Sequence, residues 1–457
     1  MAGLSSAPTA QWSSRFAFIM AAVGSSVGLG NLWRFSAEAG SNGGGAFILI
    51  YLICVFFVGI PVLMSEYLMG RAGQASSAVI SVEDLATRSG RSKAWASSAW
   101  IGMIASFLIV SFYCVVAAWV MAYIPKFLGG AFDGQTPEQI EGMFGGLVAS
   151  PKNVLPWFFA FAALTTWLVS RGVNKGIEFA SKFLMPVFFV MLICLAIYGV
   201  VTGLESGGTQ KAVKFLFTPD FSKINGDVAA RALGQACFSL GIGSAIMITY
   251  GSYLPKDVSI PRSAIIVGSV DTMVALIAGF AIFPIMFTHG LNNAGAGIFF
   301  VSLPTALSSI PGGNLIGASF FFLAIFAAVT SSISLLEPIV AWVSEKFNMA
   351  KAKAAWVMGS LMTIFGLVSV VNSKFMDFID VGLTGPIMLP LSALLVVLFT
   401  GWRMNQTLIS EQMSESDAAL GQKLMFMTRW IAVPLVGFFL IYGVYADIIA
   451  KYFTQTA

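Results

Sequence analysis

The chain has 457 residues, of which 57% are hydrophobic, 13% aromatic and only 10% charged. A water-facing globular surface carries about 25% charged residues, so a set of soluble domains is excluded and one polytopic membrane bundle is expected. The net charge of +4, from 25 basic and 21 acidic residues, is too small and scattered for a nucleic-acid binder. Cys54, Cys114, Cys194 and Cys237 all sit in apolar runs, and His289 is the single histidine, which argues against a disulfide framework or a metal cluster.

Residues 1–11 lack the basic start and apolar core of a cleaved signal, so the first span is expected to insert uncleaved. A spanning helix needs about 20 mostly apolar residues. On that basis eleven spans are predicted, at 16–37, 44–70, 96–127, 154–170, 177–202, 228–253, 262–288, 314–345, 354–371, 376–401 and 427–450. The fold class is therefore all-α, a single transmembrane domain over 1–457. With the N-terminus inside, fifteen Lys and Arg fall on the inner side (Arg71, Arg88, Arg91, Lys351 and Arg403 among them) and seven on the outer (Lys126, Lys211 and Lys374 among them). Positive residues collect on the cytoplasmic side, which sets the N-terminus in the cytoplasm and the C-terminus outside, in a multi-pass protein of the inner (plasma) membrane. Two outer segments are longer. Residues 203–227 are polar, and 289–313 enclose an apolar piece, Ile298 to Leu307, that reads as a short helical hairpin dipping toward the bundle.

The internal repeat carries most of the functional information. Span one contains Ser26-Val27-Gly28-Leu29-Gly30-Asn31, and span six contains Ser239-Leu240-Gly241-Ile242-Gly243-Ser244. Both read Ser, apolar, Gly, apolar, Gly, polar. They correspond if spans 1–5 (16–202) and 6–10 (228–401) are two halves, which an odd number of spans forces into opposite topology; 427–450 is an extra span. A glycine costs about 1 kcal/mol in a helix interior, and glycines two apart do not share a packing face. Interrupted helices are therefore expected at both places. Broken backbone at membrane depth is tolerated where it lines a cavity, and its freed carbonyls can hold a cation. The bland alternative is close helix packing through small residues.

Trp33-Arg34-Phe35 followed by Asn42-Gly43-Gly44-Gly45-Ala46-Phe47 resembles the signature of the neurotransmitter:sodium symporter family. So do Gly234 to Gly243 in span six and Thr330-Ser331-Ser332 in span eight. The resemblance runs from Trp12 to the tenth span, and eleven spans resemble the bacterial, leucine-transporter-like members. Interrupted helices at the bilayer midplane are known from this very family, so that agreement is not independent of the resemblance.

The resemblance implies a sodium-coupled amino-acid importer with two sodium ions, no organic cofactor and no obligatory protein partner. One ion would be held by the Ser26 carbonyl, Asn31, Ser239, Asp271 and the substrate carboxylate. The other would use carbonyls of Gly24, Val27 and Ala327 with the hydroxyls of Thr330 and Ser331. Sodium, like other hard cations, takes oxygen ligands. Substrate would meet Ser26, Gly28, Leu29, Gly30, Tyr113, Phe238 and Ser239, with Ile109, Gly241, Ser244, Ser331 and Leu335 around its side chain. Tyr113 would contact the carboxylate and Phe238 would form an aromatic lid; each alone reads more often as bundle packing, and only the motif match raises it. Gly28 stands where amine-transporting relatives have an aspartate, which favours an α-amino acid. Gly241 and Ser244 are smaller than the leucine-type pattern, which predicts a large hydrophobic substrate (Leu, Phe, Tyr or Trp), with small neutral amino acids as the alternative.

Asp271 is ionisable at span depth, which marks a functional site; the alternative is a protonated carboxyl in a structural hydrogen bond. Where chloride-dependent members recruit an anion, it supplies a fixed carboxylate, so chloride-independent transport is expected. Arg34 and Asp380 would form the outer gate. At the inner gate Trp12 and Glu345 match, but Thr9 stands where relatives carry a base, so either Arg15 substitutes or Trp12 packing closes that side alone. Glu66 is expected to satisfy backbone near the broken first helix and Glu337 to do similar work; Arg231 is a further charge, and His289 is expected at the outer end of span seven. Among rival classes, a channel would need a polar stripe or charged ring, and an enzyme a nucleophile–base pair; neither pattern is present. A non-transporting amino-acid sensor with the same fold is the third rival.

Overall fold

In this computed structural model residues 11–291 and 297–445 are described, which leaves Thr9, Asn292, Asn293 and the end of the last expected span outside the description. The chain enters its first helix, α1 (Arg15–Ser26), through an extended Ser14 whose side chain accepts the Ala17 N–H, the usual remedy for an orphan donor at a helix start. The helix stops at Val27 and resumes as α2 (Gly30–Ser41), bent by 51°. Next come α3 (Gly45–Gly73), α4 (Ala78–Arg88), α5 (Lys93–Leu128), α6 (Pro137–Val148), α7 (Pro151–Ser170), α8 (Val173–Glu205) and α9 (Gly208–Phe217).

The second half opens with α10 (Gly226–Leu240), capped by the Asn225 side chain, and α11 (Ile246–Ser252). It continues with α12 (Ile260–Thr288), α13 (Ile298–Ser308), α14 (Gly313–Lys346), α15 (Lys351–Val371), α16 (Ser373–Arg403), α17 (Gln406–Ser410) and α18 (Glu415–Val444). Between α10 and α11 the backbone is left-handed at three places, Gly241 (φ 64°), Gly243 (φ 75°) and Ala245 (φ 61°). Left-handed φ suits glycine and costs an alanine about 1–2 kcal/mol. Gly243 is further pinned because a Cβ there would lie 2.1 Å from the Leu389 carbonyl of α16.

Among the described residues nine helices are long and apolar enough to cross a membrane, or ten with α1 and α2 taken as one bent span. The sixth expected span is present only as α10 and α11, neither of which is long enough to cross alone. The apolar stretches of α14 and α5 are 83% and 78% buried, against 28% each for α8 and α18. The first pair thus forms the interior of the bundle and the second pair its lipid-facing rim.

Three connecting segments hold short helices, and one local expectation is corrected. The segments after α3 and after α5 hold helices, α4 and α6, because Ser77 and the Thr136–Gln139 capping box supply N-terminal caps. The polar 203–227 segment is ordered around α9, which packs on α12. The piece at 298–308 is one short helix among the described residues rather than a hairpin, with Ile298, Phe299, Phe300 and Val301 buried.

Candidate functional site

The two interruptions lie against each other. Ser26 Oγ donates to the Leu240 carbonyl at 3.3 Å, and Gln235 Nε2 donates to the Gly30 carbonyl at 3.0 Å. Each freed backbone group needs a partner in a buried setting, and distant helices provide them. Gly28 N–H donates to Asn31 Oδ1 (3.0 Å) and Leu29 N–H to the Tyr113 hydroxyl (3.2 Å). Gly243 N–H donates to Glu66 Oε1 (2.7 Å), and Ser106 Oγ to the Ser244 carbonyl (2.5 Å). Glu66 thus serves the second break, not the first as its position in sequence suggested. Its other oxygen has no hydrogen-bond partner among the described residues.

Around the breaks is a hollow of about 40 Å³ lined by Ser25, Ser26, Gly28, Gly30, Ile109, Tyr113, Phe238, Ser239, Gly241, Ser244, Ile246, Ser331, Leu335 and Leu389. Eleven of the twelve residues expected at the substrate are in it. Leu29 is the exception: it lines a second, outer cavity of about 200 Å³. Ser25, Ile246 and Leu389 were missed; Leu389 gives no signal in sequence, since an unremarkable leucine of α16 is brought in only by the close approach to Gly243. Gly28 is packed tightly, with a Cβ placed 2.5 Å from Ser331 Oγ and 3.1 Å from the Tyr113 hydroxyl.

Beside the hollow, Asn31, Ser239 and Asp271 converge. Asn31 Nδ2 donates to Asp271 Oδ1 (2.8 Å) and to Ser239 Oγ (3.0 Å), and Ser239 Oγ donates to Asp271 Oδ2 (2.7 Å). The Tyr51 hydroxyl, also missed, donates to the same Oδ2 at 3.5 Å. Asp271 is fully buried, and no Lys, Arg or His pairs with it among the described residues. A buried charge without a counter-ion is costly; a proton on Asp271 or a small cation among these oxygens would each remove the cost.

The second group sits where α1 ends against α14. Gly28 N–H and Asn31 N–H are drawn to Asn31 Oδ1 and the Gly28 carbonyl. The Gly24 and Val27 carbonyls thereby lose their helical i+4 donors. A Cβ built on Gly24 would lie 3.2 Å from Thr330 Cβ, Thr330 Oγ1 donates to the Ala327 carbonyl (3.0 Å), and Ser331 Oγ to the Ser25 carbonyl (3.2 Å). The donor set is carbonyls and hydroxyls without carboxylate, which fits a monovalent hard cation. Among the described residues no cluster of His, Cys, Asp and Glu suits a transition metal.

Phe238 and Tyr113 line both the hollow and the outer cavity, so the ring of Phe238 stands between them. Arg34 lies over that ring, its Cζ 4.3 Å from the centroid, and its Nη1 is 3.5 Å from Asp380 Oδ1. On the other side Trp12, only 2% exposed, donates its N–H to the Tyr253 carbonyl and Nε1 to the Tyr250 carbonyl, both at 3.1 Å. The adjoining Ser13 donates from N and Oγ to the Glu178 carboxylate of α8, which Lys182 also meets. Glu178 was overlooked, although an acidic residue inside a predicted span was the signal. Glu345 does not meet Arg15: it accepts the Ser77 N–H at 2.8 Å, at the start of α4. Glu337 holds side chains rather than backbone, taking Tyr253 OH at 2.9 Å and Lys351. Arg231 faces Glu38 at 3.9 Å, and His289 ends α12 beside Ser309.

Residues 9–133 and 152–453 match the sodium:neurotransmitter symporter family. The sodium-dependent transporter YhdH of Bacillus subtilis (strain 168) is 36% identical over 440 residues, covering 93% of this chain and 95% of its own. Sodium-dependent nutrient amino acid transporter 1 of Drosophila grimshawi is 28% identical over 79% of this chain and 64% of its own length. The crystal structure of MhsT in complex with L-phenylalanine superposes with a TM-score of 0.86 at 37% identity, covering 95% of this chain and 99% of that one.

Proposed function

Because the chain belongs to the sodium:neurotransmitter symporter family, a family of sodium-dependent membrane transporters and not of enzymes, we propose that it imports large hydrophobic L-amino acids with two sodium ions, without chloride. The observation that carries this reading is the hollow between the two helix breaks, flanked on one side by a buried, uncompensated Asp271 and on the other by the Gly24–Val27–Thr330–Ser331 oxygens. The likeness to MhsT holding L-phenylalanine supports a hydrophobic amino acid. We count α10 and α11 as one interrupted span, giving eleven in two inverted halves plus one, with the N-terminus cytoplasmic and the protein in the plasma membrane.

In this reading the substrate carboxylate lies at Gly28, Tyr113 and the ion held by Ser26, Asn31, Ser239 and Asp271. Ion and amino acid then strengthen each other's binding by the same factor, as linkage requires. Each can shift the conformational equilibrium only by its differential affinity for the two states. The Arg34–Asp380 pair and Phe238 close the outer side, and Trp12 with Ser13–Glu178 closes the inner side. Opening inward therefore requires Trp12 to leave the Tyr250 and Tyr253 carbonyls. Each sodium ion moving down the membrane potential supplies about 2.3 kcal/mol per 100 mV.

A second reading, small neutral amino acids, is favoured by the size of the hollow, about 40 Å³. A larger side chain needs Phe238 to swing toward the outer cavity. Uptake into proteoliposomes decides: sodium-driven accumulation of L-phenylalanine or L-tryptophan, outcompeting glycine and alanine, is expected. Absence of any sodium-driven uptake, with binding retained, would identify a sensor instead.

A further inference from the structure

Away from the ion and substrate groups lies a cavity of about 340 Å³, larger than the central hollow and unused by the transport reading. Its floor is Val115 and Trp119 of α5, its wall the end of α15 (Ser369, Val371) and Met376 at the start of α16, and its roof α6. The roof is fixed in place, since Phe144 of α6 stacks on Phe300 of α13 at 4.6 Å and 4°.

Three observations give the cavity a ligand chemistry. No lining residue is ionisable as an acid, Lys, Arg or His, so a charged headgroup finds no partner there. Ser369, 3% exposed, lines the cavity with an Oγ that has no hydrogen-bond partner among the described residues. A helical serine ordinarily bonds the carbonyl one turn back; this hydroxyl does not, and rotation about its Cα–Cβ bond leaves it free to meet an occupant of the cavity. Finally, Val371 on the rim is 67% exposed and Val368 beside it 40%, an apolar face toward lipid. A bare acyl chain would enter but leave the hydroxyl unpaired, at a cost a bonded occupant avoids.

We propose that this cavity is a binding site for a neutral, mostly apolar molecule with a single hydrogen-bonding group, of the indole or aliphatic-alcohol class, entering from the outer face of the bilayer. Met376 is the one residue shared by this cavity and the outer cavity that holds Arg34 and Asp380. An occupant there braces the start of α16, the helix carrying Asp380.

The test is binding of tritiated indole to the full-length protein in phosphatidylcholine nanodiscs. One saturable site per chain is expected. Ser369→Ala should weaken it about five-fold, the size of one hydrogen bond. Gly145 lines the cavity and a Cβ on it meets nothing within 4 Å, so Gly145→Trp adds bulk to the roof and should weaken binding at least ten-fold. Both variants should keep monodisperse elution and the unfolding temperature of the parent. Non-saturable partitioning alone, or a saturable site that neither substitution changes, overturns the proposal.

Discussion

At the scale of single residues, two side-chain environments make sharp demands. Asp271 has hydrogen bonds from Asn31, Ser239 and Tyr51 but no fixed counter-charge among the described residues. Truncating one partner of a buried charge pair costs about 2–5 kcal/mol. Asp271→Ala is therefore expected to raise the half-saturating sodium concentration for uptake at least about thirty-fold, and an unchanged sodium curve would remove this carboxylate from the ion site. Gly28 is the steric counterpart. A methyl group there would meet Ser331 Oγ at 2.5 Å, and Ser331 cannot retreat without breaking its bond to the Ser25 carbonyl. Overpacking costs about 1–3 kcal/mol, so Gly28→Ala should lower uptake about ten-fold or more while the protein still folds, as measured by initial rates alongside thermal unfolding.

At the scale of elements, the break between α10 and α11 is held from three sides. Glu66 of α3 takes the Gly243 N–H, Ser106 of α5 takes the Ser244 carbonyl, and α16 presses its Leu389 carbonyl on Gly243. Ala245, left-handed at φ 61°, is strained in a way that glycine would relieve. Ala245→Gly should therefore stabilise by up to about 1 kcal/mol, visible as a small rise in unfolding temperature, whereas Gly243→Ala should prevent assembly. Glu66→Gln preserves an acceptor for Gly243 and should be tolerated; Glu66→Leu leaves that N–H unpaired, worth about 1–3 kcal/mol, and should depress both stability and uptake. At the start of α1, Trp12 and Ser13 strap that helix to α8 and to the end of α11. The strap combines a buried indole on backbone carbonyls with hydrogen bonds from Ser13 to the Glu178 carboxylate, which Lys182 pairs.

For the whole molecule, the proposed coupling predicts how ligands act on stability. An ion that binds only the folded form at one hundred times its dissociation constant adds about 2.7 kcal/mol. Sodium should raise the unfolding temperature, potassium should not, and a hydrophobic amino acid should add a further rise only when sodium is present. Equal rises with either cation would break the link between ions and fold. Replacing chloride with gluconate should leave uptake unchanged, because Asp271 brings its own negative charge to the site. A collapse of uptake in gluconate would reject that role.

Composition, hydropathy and the paired Ser-apolar-Gly-apolar-Gly-polar runs settle the membrane environment, the all-helical class and the place of both breaks. These are local properties: apolar length decides what a bilayer accepts, and glycine spacing decides where a helix yields. The motif around Asn31, Ser239 and Thr330-Ser331 also marked residues that do meet in space. Leu389 and Tyr51 were not legible, nor the true partners of Glu66 and Glu178 or the side on which Leu29 lies. Each depends on which helix face crosses which other at one depth, a product of packing between segments hundreds of residues apart, and no local pattern encodes such an encounter.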